Sequence, residues 1–140
     1  MSGKLNVEQV KGEVLRFWNV FMEKNADALM NFYAPDSSVF SSISARVEPG
    51  RLAAARRNRE YFHAKATVRS TTSNVEVILV SDTSAVANYN FTFHATKVAA
   101  GMSSSVEEDI KQGRATQVFR LEPDGRVLIV HEHLSSVDKR

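Results

Sequence analysis

The chain has no cysteine, which removes disulfide frameworks, thiolate zinc sites and thiol nucleophiles in one step. Glycine (6) and proline (3) are sparse among the 140 residues, and no low-complexity tract, repeat or linker-like break interrupts the composition. Neither sign of charge dominates: 18 Lys plus Arg stand against 16 Asp plus Glu, a net +2, too little to imply nucleic acid as a partner. No apolar run approaches the ~20 residues of a membrane span. The stretch from Met1 to Lys11 lacks the apolar core of a signal peptide. These features predict a soluble, cytoplasmic protein with no membrane partner. Phosphate-binding glycine loops are missing, and Ser103 to Ser105 read as loop rather than a nucleophile elbow. What is present is 43% hydrophobic residues and 24% charged. That suits one compact domain over 1–140. A domain of this size buries roughly 68–70% of its unfolded surface, enough to fold without metal or disulfide.

Val7, Val10, Val14, Phe17 and Phe21 recur at helical spacing, with Leu15, Trp18 and Met22 widening the stripe. A short helix through Leu29, Met30 and Phe32 follows, stopped by Pro35. Ser37 to Ser42 reads as a strand, and Arg51 to Lys65 as a third helix after Pro49-Gly50. From Thr67 the pattern changes to alternation. It predicts four long strands, at Thr71 to Val80, Ala85 to Thr96, Glu107 to Leu121 and Arg126 to Ser136. Lys97 to Ser105 reads as the loop of a hairpin. The fold class is α+β: N-terminal helices packed in the concave face of a strongly curved antiparallel sheet, a cone with an internal ligand cavity.

Glu122-Pro123-Asp124-Gly125-Arg126 fits a type I turn followed by glycine in the left-handed region. Strict alternation from that turn pairs Leu121 with Val127, Phe119 with Ile129, Gln117 with His131 and Ala115 with His133. It puts Gln117, Phe119, His131 and His133 on the inner face beside Tyr89 and Phe91. The outer face then carries Val118, Leu128, Val130 and Leu134, with Arg114 a diagonal neighbour of Glu132. Four clustered aliphatics on an outer face predict an interface with a second copy, hence a dimer or larger even-numbered assembly.

Phe32-Tyr33-Ala34-Pro35-Asp36, Asp82 to Ala87, Gly113 to Arg120 and Val130-His131-Glu132-His133-Leu134-Ser135 resemble the SnoaL-like branch of the nuclear transport factor 2-like superfamily. The chain is also similar, almost end to end, to the association (hub) domain of calcium/calmodulin-dependent protein kinase II. The resemblance implies a cystatin-like cone with an internal pocket and oligomers built through sheet faces. It does not fix function, because this superfold hosts isomerases, cyclases, dehydratases, transport factors and assembly domains. The hub domain's pocket arginine is matched here by Gln117. The pocket carboxylate of ketosteroid isomerase-type members has no inward counterpart in this register.

The candidate catalytic residues are His131 and His133, imidazoles that titrate near neutral pH and would serve as base or donor. They would equally suit core-edge histidines satisfied by Gln117 and Tyr89. Candidate ligand contacts are Trp18, Tyr33, Arg46, Tyr61, Tyr89, Phe91, Gln117 and Phe119. The phenols would polarise a ligand, and Arg46 near the expected mouth would reach a carboxylate. Two histidines without further ligands do not make a metal site, and no cofactor is expected. Arg51, Arg56, Arg57 and Arg59 form a basic helix face, read as solvated. Two functions follow: binding a small, partly apolar molecule, with or without cofactor-free isomerisation, cyclisation or dehydration, or a non-catalytic hub-like association module.

Overall fold

The computed structural model describes residues 3–40, 48–64, 67–98 and 106–137. Helix α1 (Val7–Met22) starts in a capping box: the Asn6 side chain accepts from the Gln9 N–H at 2.8 Å, and the Gln9 side chain accepts from the Asn6 N–H. Two otherwise unpaired donors of the first turn are thereby satisfied. Val10, Val14, Phe17, Trp18 and Phe21 are its buried stripe. Leu15 is 55% exposed, because it falls off the i, i+3, i+4 face. Helix α2 (Ala26–Met30) is capped by the Asn25 side chain on the Ala28 N–H. It ends earlier than the periodicity predicted, and strand β1 (Tyr33–Phe40) already contains Pro35.

After β2 (Glu48–Pro49), helix α3 (Gly50–Ala64) begins at Gly50, whose φ of 78° suits glycine. The strands β3 (Thr67–Ser81), β4 (Ser84–Val98), β5 (Val106–Leu121) and β6 (Val127–Ser136) complete one sheet, in the order β2-β1-β6-β5-β4-β3. Every pairing is antiparallel but one. β1 runs parallel to β6, a correction to the all-antiparallel sheet read from alternation. The helices cover the inner face. There the core gathers Val10, Val14, Phe17, Leu29, Val39, Ala87, Phe91, Phe119 and Ile129. Burying each large side chain of this kind stabilises the fold by about 1.5–3 kcal/mol.

The Glu122–Arg126 turn forms as predicted. The Glu122 N–H donates to the Arg126 carbonyl at 2.7 Å, the Gly125 N–H to the Glu122 carbonyl at 2.9 Å, and Gly125 has φ 91°. Leu121 pairs with Val127 and Phe119 with Ile129. Beyond them the ladder shifts: Val118 lies opposite His131, Gln117 opposite Glu132, Thr116 opposite His133 and Ala115 opposite Leu134. Val130 is the extra residue of a β-bulge, and β1 shifts register beside it between Tyr33 and Ser38. A bulge bends its strand, and Pro35 in β1 has no N–H to lose there. Because side chains alternate with period two, one extra residue carries all of β6 from His131 onward to the opposite face.

Candidate functional site

The bulge brings a carboxylate into the core. Glu132 is fully buried and accepts hydrogen bonds from Tyr33 and Gln117, two neutral donors among its partners. The Tyr33 hydroxyl reaches its two oxygens at 2.9 and 3.0 Å, and Gln117 Nε2 reaches Oε2 at 2.7 Å. Behind Gln117, the Tyr89 hydroxyl donates to Oε1 at 2.7 Å, and Trp18 Nε1 donates to the Tyr89 oxygen at 2.9 Å. Five side chains from α1, β1, β4, β5 and β6 thus form one polar chain in an aromatic core. Burial pushes the Tyr89 phenol well above its usual pKa. The Glu132 charge adds to this, and the Trp18 hydrogen bond opposes it. Tyr89 therefore keeps its proton and remains a donor.

Aromatic rings hold the chain in place. Trp18 stacks on Phe91 at 5.2 Å and 24°, and meets Phe17 and Phe21 edge-on at 5.3 and 5.0 Å. Phe91 in turn lies across Gly113, where an added Cβ would stand 2.7 Å from the Ser135 carbonyl. Glycine at that position lets the ring and the neighbouring strand close together. Phe119 is buried on the same face. Tyr61 is half-buried and packs on Phe21, Phe62 and Phe93.

Of the residues singled out in the sequence, Trp18, Tyr33, Tyr89 and Gln117 come together around Glu132, with Phe91 and Phe119 as apolar wall. The two histidines do not join them. His131 lies on the convex face with Nδ1 2.8 Å from Ser38 Oγ, and His133 is exposed there, stacked on Phe40 at 4.9 Å. The Val130 bulge is the reason. It also turns Leu134 toward the core and separates Arg114 from Glu132, so the diagonal ion pair read across those strands does not form. Val118 and Val130 are half-buried and Leu128 is buried. Arg46 lies outside the described residues, as do the side chain of Arg57 and most of the expected Lys97–Ser105 loop.

Glu132 is the residue that strict alternation missed. The signal was available in Val127-Leu128-Ile129-Val130, four successive apolar residues. Such a run cannot keep a period of two on a half-buried strand, and it marks where the register slips.

A cleft of about 550 Å³ lies away from Glu132, lined by Glu23, Lys24, Asp27, Arg59, Phe62 and His63, and spans the exposed Arg59–Asp27 ion pair of 2.8 Å. Another, about 330 Å³, is lined by Glu76, Asn88, Asn90, Arg114 and Thr116 and borders Tyr89. Among the described residues no cluster of His, Asp and Glu is arranged for a metal ion. None of the helices described is long and apolar enough to cross a membrane.

Helices on a curved sheet, with a hydrogen-bonded carboxylate on its inner face, define an α+β cone with a polar centre. The sequence profile of the SnoaL-like domain matches residues 14–130, and the chain belongs to that family. No curated protein matches it. Among solved structures it is similar to one provisionally assigned as a dehydratase of the nuclear transport factor 2-like family from Streptomyces avermitilis. The TM-score is 0.81 and the identity 19%, over 95% of this chain and 97% of that one. A provisionally assigned calcium/calmodulin-dependent protein kinase II association domain from Xanthomonas campestris gives 0.77 and 21%, over 100% and 97%. A provisionally assigned scytalone dehydratase from Novosphingobium aromaticivorans gives 0.78 and 13%, over 92% and 82%. At these identities the likeness is one of fold.

Proposed function

We propose that this chain binds a small, partly apolar molecule on the inner face of its sheet and acts on it by cofactor-free acid–base chemistry, with Glu132 as the group that takes and returns the proton. The observation that carries this reading is the burial of Glu132 among Tyr33, Gln117 and aromatic rings. A core built only for stability does better with apolar side chains, since taking a carboxylate out of water costs several kcal/mol. A site that moves protons needs such a group, held in one geometry and shielded from water. Tyr33 and Gln117 keep it in place, while Trp18, Phe91 and Phe119 supply the apolar surface. Isomerisation, cyclisation and loss of water all need a base of this kind. The histidines on the convex face are not part of this proposal, and the cytoplasm is its proposed setting.

The test is an assay of water loss from scytalone, the compound named for one structural neighbour, and from a panel of cyclic β-hydroxyketones. Turnover that falls at least a hundredfold in Glu132→Gln, with binding retained, is the expected result. Equal turnover in wild type and Glu132→Gln would overturn the assignment.

A second reading is favoured by a separate observation. A continuous row runs across the convex face, Ser38–His131–Val118–Val86–Ile78. Ile78 is 49% and Val80 64% exposed. The aliphatic end of this row, Val118, Val86 and Ile78, suits self-association through the sheet, as in a hub-like module. The two readings use opposite faces and are compatible. Light scattering on wild type and Val118→Glu tests the second: an even-numbered oligomer that dissociates in the variant is expected, and a wild-type monomer at micromolar concentration would contradict it.

A further inference from the structure

The hydrogen bonds behind Glu132 have a direction, and both ends of the chain agree on it. An indole nitrogen donates and cannot accept. Trp18 Nε1 lies 2.9 Å from the Tyr89 oxygen, so the phenol accepts there and its own proton points onward, to Gln117 Oε1 at 2.7 Å. With its carbonyl engaged, Gln117 can present only its amide N–H to Glu132, at 2.7 Å. Reversing that amide would set a carbonyl against a carboxylate and an NH2 group against a phenol proton. Both contacts repel. A glutamine side chain has two nearly isosteric orientations, and here the carboxylate that only accepts and the indole that only donates, two side chains away, select the same one.

We propose that Trp18 is a positioning residue for Glu132: its indole N–H, acting through Tyr89, anchors the Gln117 carbonyl and so aims the amide N–H that the carboxylate meets. Trp18 is well suited to this. It is 4% exposed and clamped by Phe17, Phe21 and Phe91, so the indole cannot swing its N–H elsewhere. Tyr89 is also buried and keeps its proton, so the signal is not lost to water at the middle of the chain. The consequence for catalysis rests on Glu132 being the proton-handling group. The relay itself does not, and it is tested on ligand-free protein.

The experiment is nuclear magnetic resonance on the full chain, labelled with nitrogen-15. Trp18 is the only tryptophan, so its indole N–H is a single signal, and the side-chain NH2 pair of Gln117 is the second reporter. In Tyr89→Phe the indole proton loses its acceptor and exchanges with solvent about tenfold faster, the effect of one lost hydrogen bond. In Trp18→Phe the Gln117 pair leaves its wild-type position, as Tyr89 loses the donor that turns its proton toward the Gln117 carbonyl. Phe17→Leu, which disturbs packing beside Trp18 but removes no donor, leaves the pair single and in place. Trp18 acting only as core filler would leave the Gln117 pair unmoved in Trp18→Phe. Tyr89→Phe keeps its ring, so even if Trp18→Phe does not fold it tests the first link: an indole exchange rate unchanged from wild type would overturn the proposal. A failed relay with intact Glu132-dependent turnover would overturn this inference alone.

Discussion

The two faces of the sheet hold their charges in different ways. On the concave face one carboxylate, Glu132, is fully buried, with neutral donors from Tyr33 and Gln117 at 2.7 to 3.0 Å among its partners. On the convex face Arg120 bridges Asp36 at 3.1 Å and Glu122 at 2.9 Å, with the Asp36 side chain 68% exposed. Inside, water cannot repair a lost partner, so each hydrogen bond must be matched by shape and direction. Outside, water and salt screen the ion pairs, so full charges contribute less there than uncharged groups do in the core.

The sharpest way to break this contrast is Gln117→Leu, which strips a donor from Glu132 and an acceptor from Tyr89. Urea denaturation is expected to show a loss of about 1–3 kcal/mol for each of the two buried partners left unsatisfied. Gly113→Ala comes next. The added methyl group meets Phe91 and the Ser135 carbonyl, an overpacking that costs about 1–3 kcal/mol, measured the same way. Asn6→Ala removes the α1 cap and costs about 1 kcal/mol.

The smallest effect belongs to the convex face. The Arg120 hydrogen bond holds the Asp36 carboxyl below the usual carboxylate range, with its own backbone N–H helping. A carboxyl depressed in the folded state stabilises above its unfolded pKa, and that contribution disappears as pH falls through the folded value. Melting temperatures of wild type and Asp36→Asn should therefore differ slightly at pH 6 and converge in strong acid. A gap that widened on acidification would carry the wrong sign.

Much of this was legible before any coordinates. The helical stripe from Val10 to Phe21 and the Asp124-Gly125 turn follow local rules of spacing and φ, and so did the pairing of Phe119 with Ile129. The placement of Tyr89 and Gln117 toward the core also follows from alternation, and that of Trp18 from helical spacing. On the closing strand the misplaced residues all lie past Val130, since a period-two rule passes one error to every later position: His131, Glu132, His133 and Leu134 change face together. The bulge is set by tertiary context. β6 is bent between β5 on one side and a parallel β1 containing Pro35 on the other, and neither strand alone encodes that bend. Leu15 illustrates a milder limit, an apolar residue that the helix leaves exposed at no great cost.

The inward position of Glu132 underlies the site, the proposed chemistry and the relay from Trp18. Cross-strand proton–proton contacts between β5 and β6 in a magnetic resonance spectrum test it most directly. Contacts joining Gln117 to Glu132 and Thr116 to His133, while Phe119 still meets Ile129, are the predicted result. Contacts joining Gln117 to His131 and Ala115 to His133 would remove the bulge, return the histidines to the core and contradict the account.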